Sequence, residues 1–177
     1  MRQVTRRWAR LGKRDSRSLR HPSDAGVCLS AFIIAKRGRK ILVGRVRGTK
    51  DWPERGGYPR LSAIELEREG AWLLPATHLM MEEHPDDAAK RITRKWAGLR
   101  GTPKFVMVQS HIRPATLERK GAKANHWDLC FVYELKVLGL PRTNPWWSEL
   151  RFVSLPELRN LKVGRGHLDV LKEAGYA

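Results

Sequence analysis

WLLPATHLMMEEHPDDAAKRITRKWAGL, residues 72–99, is the stretch on which the fold turns. His84-Pro85-Asp86-Asp87 is a helix start, with proline in the first turn and two carboxylates at the positive end of the helix dipole. Ala88, Ala89, Ile92, Trp96 and Leu99 then recur at helical spacing, which predicts a buried stripe, and Gly98 ends the helix. On this reading Trp96 belongs to the core. The other face carries Lys90, Arg91, Arg94 and Lys95, with Arg100 just beyond.

The same stretch resembles a Nudix box stripped of most of its acid. Measured from Pro75, the chain has Glu83, Arg91, Gly98 and the aliphatic Leu99 where that family's motif has its outer Glu, its Arg, its Gly and an aliphatic residue. Ala76 and Thr77 stand for the motif's paired glycines, and Ile92, Lys95 and Trp96 for its three helical glutamates. In the family those glutamates hold Mg²⁺-type cations, which need hard oxygen ligands. Ile92 and Trp96 offer no such oxygen, and Lys95 brings positive charge. The resemblance therefore implies a Nudix-like fold with a degenerate active site, with no metal and no catalytic residue expected there. It also implies a pairing of Arg91 with Glu83.

Outward from this segment, GVCLSAFIIAKRGRKILVGRVRG (26–48) reads as two strands joined at Arg37-Gly38-Arg39, like the hairpin that opens Nudix domains. Residues 49–59 read as a loop. LSAIELERE (61–69) fits a short helix with Leu61, Ile64 and Leu66 together and its glutamates outward, or an alternating strand. Ala71 to Leu74 reads as a short strand, Phe105 to Ile112 and His126 to Leu138 as longer ones, and Arg151 to Val153 as the last. SLPELRNL resembles the turn into a helix near the end of Nudix domains, and a final helix is expected from about Gly166. The whole is expected to be α+β, a Nudix-like αβα sandwich on a central mixed sheet over residues 25–177, preceded by a basic extension over 1–24.

The chain has 177 residues, and its 35 Lys and Arg against 18 Asp and Glu give a net charge of +17. An excess of that size on one domain points to a polyanionic partner, RNA or a ribonucleoprotein before an anionic membrane surface. No apolar run is long enough to predict membrane insertion. Arg2, Arg6, Arg7, Arg10, Lys13, Arg14, Arg17 and Arg20 face the single acid Asp15 in the first 21 residues, which reads as a basic arm with Trp8 as a stacking ring, or as a presequence. Arg119, Lys120 and Lys123 around Gly121 make a second basic segment, suited to phosphate contact. Candidate RNA-binding residues are thus Arg6, Arg7, Arg10, Arg14, Lys90, Arg94, Lys95, Arg119, Lys120 and Lys123. The tryptophans of LPRTNPWW (140–147) can pack the core or stack a base.

Cys28 and Cys130, the only two cysteines, lie in apolar runs without zinc spacing. They read as core thiols, with a disulfide open if their strands are neighbours. A reducing cytoplasm is expected, or an organelle matrix if the first residues are a presequence. Two alternatives to RNA binding remain. One is an active Nudix-type hydrolase of nucleoside diphosphate derivatives, with Mg²⁺ or Mn²⁺ held by relocated acids among Glu65, Glu67, Glu69, Glu82, Glu83, Asp86 and Asp87, Glu83 and Glu82 foremost. The other is a nucleotide sensor.

Overall fold

The computed structural model describes residues 27–47, 60–80, 82–113, 126–142, 144–164 and 166–176. Arg6, Arg7, Arg10, Arg14, Arg119, Lys120 and Lys123 lie outside them, as does the boundary expected at residues 24 and 25.

Among the described residues seven strands form one mixed sheet: β1 (Val27–Arg37), β2 (Lys40–Val46), β3 (Trp72–Leu73), β4 (Ala76–His78), β5 (Lys104–Arg113), β6 (His126–Lys136) and β7 (Trp147–Ser154). The described helices are α1 (Arg60–Glu69), α2 (Pro85–Arg91), which runs on into a π-helical turn at Ile92–Trp96, α3 (Leu155–Arg159) and α4 (His167–Glu173). β1 and β6 are parallel from Val27↔Trp127 to Lys36↔Lys136, and the other pairings are antiparallel. β5 pairs only with β6 and ends the order β3-β2-β1-β6-β5.

β1 and β2 touch only at their hairpin, Lys36↔Ile41 and Arg37↔Lys40, and then diverge. Into the gap runs the quoted segment: β3 lies on β2, the Ile33 N–H donates to the Pro75 carbonyl at 2.9 Å, and β4 lies on β1. That crossing from one strand to the other delivers α2 over the middle of the sheet.

The alternation of each strand separates two cores. One face holds Ile33, Leu42, Tyr133 and Leu135 under Leu66 of α1 and Ala88, Ala89, Ile92 and Trp96 of α2. The other holds Phe32, Ile34, Val43 and Val132 under Leu158 of α3 and Val170 and Leu171 of α4. Helices on both faces of a mixed sheet are the sandwich expected from the sequence. α4 is tied in by His167, which is 1% exposed. Its Nδ1 accepts from the Leu74 N–H at 2.9 Å, and its ring meets Phe32 edge-on. A buried donor of this kind would otherwise be unsatisfied.

Several details differ from expectation. Residues 60–69 are helical, yet Ile64 is 41% exposed while Leu66 is buried, so only part of the expected apolar group reaches the core. The last strand begins at Trp147, four residues before Arg151, because it pairs along the full length of β2. Cys28 and Cys130 are buried, as expected of core thiols, and although their strands are neighbours they are not joined in a disulfide: opposite Cys28 is Asp128, and opposite Cys130 is Ser30.

The C-terminal segment is fastened at Tyr176, whose hydroxyl donates to the Glu134 carboxylate and accepts from Lys36 Nζ at 3.0 Å; Lys36 and Glu134 are 3.1 Å apart. The Tyr176 hydrogen bond, then Lys36, holds the Glu134 carboxyl below its ordinary value, and the Tyr176 hydrogen bond outweighs burial in raising Lys36. Burial and then Glu134 raise the Tyr176 phenol. The Glu134 contribution is present above the unfolded carboxyl pKa and lost as pH falls through the lower folded value. Those of Lys36 and Tyr176 are present below their unfolded values and lost as pH rises through the higher folded ones. Protection of the Tyr176 amide in hydrogen exchange is therefore expected to fall below about pH 4 and above about pH 10, with Tyr176→Phe flattening both limbs.

Candidate functional site

The site is the box helix and what surrounds it. His84 caps α2 through Nδ1, which accepts from the Asp86 N–H at 3.2 Å, and Pro85 opens the first turn. Both acids there are engaged. Asp87 pairs with Lys90 at 2.8 Å, which lowers the Asp87 carboxyl, while Asp86 accepts from the Tyr133 hydroxyl at 2.6 Å. Burial, with that hydrogen bond, holds the Tyr133 phenol far above its ordinary value.

Glu83 and Arg91 meet as a two-pronged fork. Arg91 Nε donates to Glu83 Oε1 and Nη2 to Oε2, both at 2.7 Å, and the side chains are each 12% exposed. Arg91 Nη2 also reaches the His78 carbonyl at 3.1 Å, and Glu83 Oε2 accepts the Met80 N–H at 2.8 Å. The pair ties β4, the start of the box loop and α2 together, the structural role the resemblance implied. Glu82 is exposed and takes a left-handed backbone, φ +61°, next to it.

The three positions that would carry the helical carboxylates are otherwise used. Ile92 is 0% and Trp96 1% exposed, while Lys95 faces solvent beside Arg94. The Trp96 ring stacks on Trp146 with centroids 5.2 Å apart at 21°. Its carbonyl accepts from both Asn144 Nδ2 at 2.6 Å and Trp147 Nε1 at 2.7 Å. The segment after β6 is thus bolted to the end of the helix, with the Arg142 N–H on the Gly98 carbonyl at 3.1 Å. Gly98 has φ +60°, and a Cβ there would lie 2.6 Å from the Arg142 carbonyl oxygen, so both backbone shape and space require glycine. Gly44 likewise makes room for Trp147, whose ring a Cβ would meet at 2.4 Å. Both tryptophans of the Pro-rich segment therefore pack the core, at 8% and 7% exposed.

A Mg²⁺-type ion needs several converging oxygens. At the helix positions there is a hydrocarbon, an ammonium and a buried indole; Glu83 is spent on Arg91 and Asp87 on Lys90. Glu69 lies on α1, 4.0 Å from Lys162. Among the described residues no three His, Cys, Asp or Glu side chains gather as a metal site. The side chains present do not fit that ion. Of the basic candidates, Lys90 is paired with Asp87, and Arg94 and Lys95 project into solvent from one turn.

By sequence the chain matches no protein-family model and no curated protein. By structure it is similar to a MutT protein from Methanosarcina mazei Go1, with a TM-score of 0.58 at 13% identity, covering 84% of this chain and 92% of that one. A NUDIX hydrolase from Nitrosomonas europaea gives 0.58 at 14% identity, covering 83% and 86%. A MutT NUDIX hydrolase from Burkholderia pseudomallei gives 0.53 at 18%, covering 84% and 95%. The chain has the Nudix fold. Among the described residues no helix is long and apolar enough to cross a membrane.

Proposed function

We propose that this chain is a non-hydrolytic Nudix-fold protein that binds RNA, as a component or factor of a cytoplasmic ribonucleoprotein. The observation that carries the non-hydrolytic half is the helix end itself, where Ile92 and Trp96 are sealed into the core and Lys95 stands in place of an acid. Water attack on a diphosphate in this fold needs a cation to neutralise developing charge, and the side chains here supply no ligand set for one. The RNA half is supported by the net charge of +17 and by the exposed Arg94 and Lys95.

Binding of a labelled single-stranded RNA, followed by anisotropy from 50 to 300 mM salt, tests it. The affinity should fall steeply, with a log–log slope of about −0.7 per phosphate contacted. A flat salt response, or no binding at the lowest salt, would sink the reading.

A second reading, a Nudix-type hydrolase of nucleoside diphosphate derivatives, is favoured by the fold, since the similar structures are described as MutT proteins or Nudix hydrolases. A screen of such compounds with Mg²⁺ or Mn²⁺ decides between them. Metal-dependent release of phosphate or nucleotide, abolished by Glu83→Gln, would establish this second reading; we expect none.

A further inference from the structure

A second cluster of exposed cations among the described residues, apart from the box helix, lies at the tip of the β1–β2 hairpin. The chain reverses there through Gly38 and Arg39, with Gly38 at φ +61°, and this sets Arg37 directly opposite Lys40. Arg37, Arg39 and Lys40 are all exposed, and among the described residues none of them is in an ion pair. Lys40 feels the charge of Glu157, but that carboxylate is already held by the Ser154 hydroxyl and backbone. Like charges set directly across a strand pair repel, so this turn is formed against its own electrostatics. A bound anion would remove that cost.

The tip also borders a cleft. Arg37 and Lys40 share it with Leu140, Pro141, Leu150 and Phe152, and among the described residues no acid lines it; its volume is about 630 Å³. That is within the range of small-molecule sites and large enough for a nucleoside monophosphate. Leu140 is 69% exposed and lines the cleft together with Phe152. Arg151 also lines the cleft, but its guanidinium is committed elsewhere, lying over the Trp72 ring at 4.9 Å and pairing with Glu149 at 2.9 Å. The lining therefore combines two cations with apolar side chains and one aromatic ring. Phosphate contacts position a nucleic acid, while flat apolar and aromatic surfaces take its bases.

We infer that the cleft at the hairpin tip seats a nucleoside phosphate unit of an RNA strand, with the phosphate on Arg37 and Lys40, Arg39 beside it, and the base or sugar against Leu140, Pro141 and Phe152. This rests on the RNA-binding reading and gives it a location. A free nucleotide has the same chemistry, so the experiment separates the two sources.

The full chain and three variants are titrated with a fluorescein-labelled twelve-nucleotide oligouridylate, and separately with UMP and ATP. Arg37→Ala/Lys40→Ala removes the cations. Leu140→Asp places a negative charge on an exposed position of the wall, where folding is not at stake. Lys162→Ala/Lys172→Ala removes the same charge from segments that pack on the other core, opposite the one Leu150 and Phe152 pack on. The first two are expected to weaken oligonucleotide binding at least about tenfold, and the third less than about threefold, with free nucleotides binding far more weakly than the oligonucleotide. Should all three variants weaken binding alike, the cleft is not the seat, although RNA binding itself stands. Should the unaltered chain bind no RNA at low salt, the functional reading falls and this inference with it. Free nucleotide binding as tightly as the oligonucleotide, and lost in the first two variants, would overturn the RNA assignment and make the cleft a nucleotide sensor. Thermal melting of each variant reports folding independently.

Discussion

Trp96→Ala is expected to lower the unfolding free energy by about 3–5 kcal/mol, the cost of truncating a fully buried aromatic side chain, with part of the loss in the cavity left behind. The indole is 1% exposed and stacked on Trp146, so its removal also strips the support from the segment after β6. Denaturant unfolding should show a lower midpoint with little change in slope. A loss under about 1 kcal/mol would mean that the stack is not part of the core. Trp96→Glu is a sharper version, because it restores the carboxylate of the family's motif. If the position were still a metal-binding one, Mg²⁺ would rescue the variant. We expect instead a loss at least as large as that of the alanine variant and no rescue, since an ionised group would be buried against an indole with no partner.

Arg91→Ala is expected to cost about 3 kcal/mol. It leaves the Glu83 carboxylate, 12% exposed, with the Met80 N–H as its remaining partner, and it takes the guanidinium away from the His78 carbonyl. Glu83→Gln should cost less, about 1–2 kcal/mol, because an amide can still accept from Met80 and meet one prong of the guanidinium. A double-mutant cycle joining Arg91→Ala and Glu83→Ala should return a coupling of about 1–3 kcal/mol. Coupling near zero would show that the fork is incidental. The same glutamate is the residue on which the hydrolase reading depends, so stability and turnover must be measured on the same variants.

The spacing of Pro75, Glu83, Arg91 and Gly98 was enough to place the box, and the Ala88, Ala89, Ile92, Trp96 repeat was enough to orient its helix. Both are local signals, written within one or two turns of the chain. What the local pattern could not carry was long-range. The parallel register of β1 on β6 joins residues 100 positions apart, as in Val27↔Trp127. The Trp146 stack joins α2 to a segment that reads equally well as a base-stacking loop. Residues 60–69 escaped because Leu66 reaches the core while Ile64, two residues before it, is exposed, which fits neither helical nor strand periodicity cleanly. The bond of Tyr133 to Asp86 had no sequence signal. The basic hairpin was visible as a turn and not as a site, because the cleft wall is completed by Leu140 and Phe152 from distant segments.

Among the described residues the sheet ends at β5, where Phe105, Val106 and Val108 are 55%, 42% and 47% exposed. Such an outer strand is a template for pairing with another chain. Between Phe105 and Met107 the register with β6 slips, so Val106 is an inserted residue that bends the strand and strengthens its twist. Lys104 adds a charge at one end. One irregular residue thus disfavours the addition of a neighbouring molecule's strand at this edge. A shortened β5 lacking Val106 would present a straighter, apolar border, and the molecule would acquire the means to polymerise.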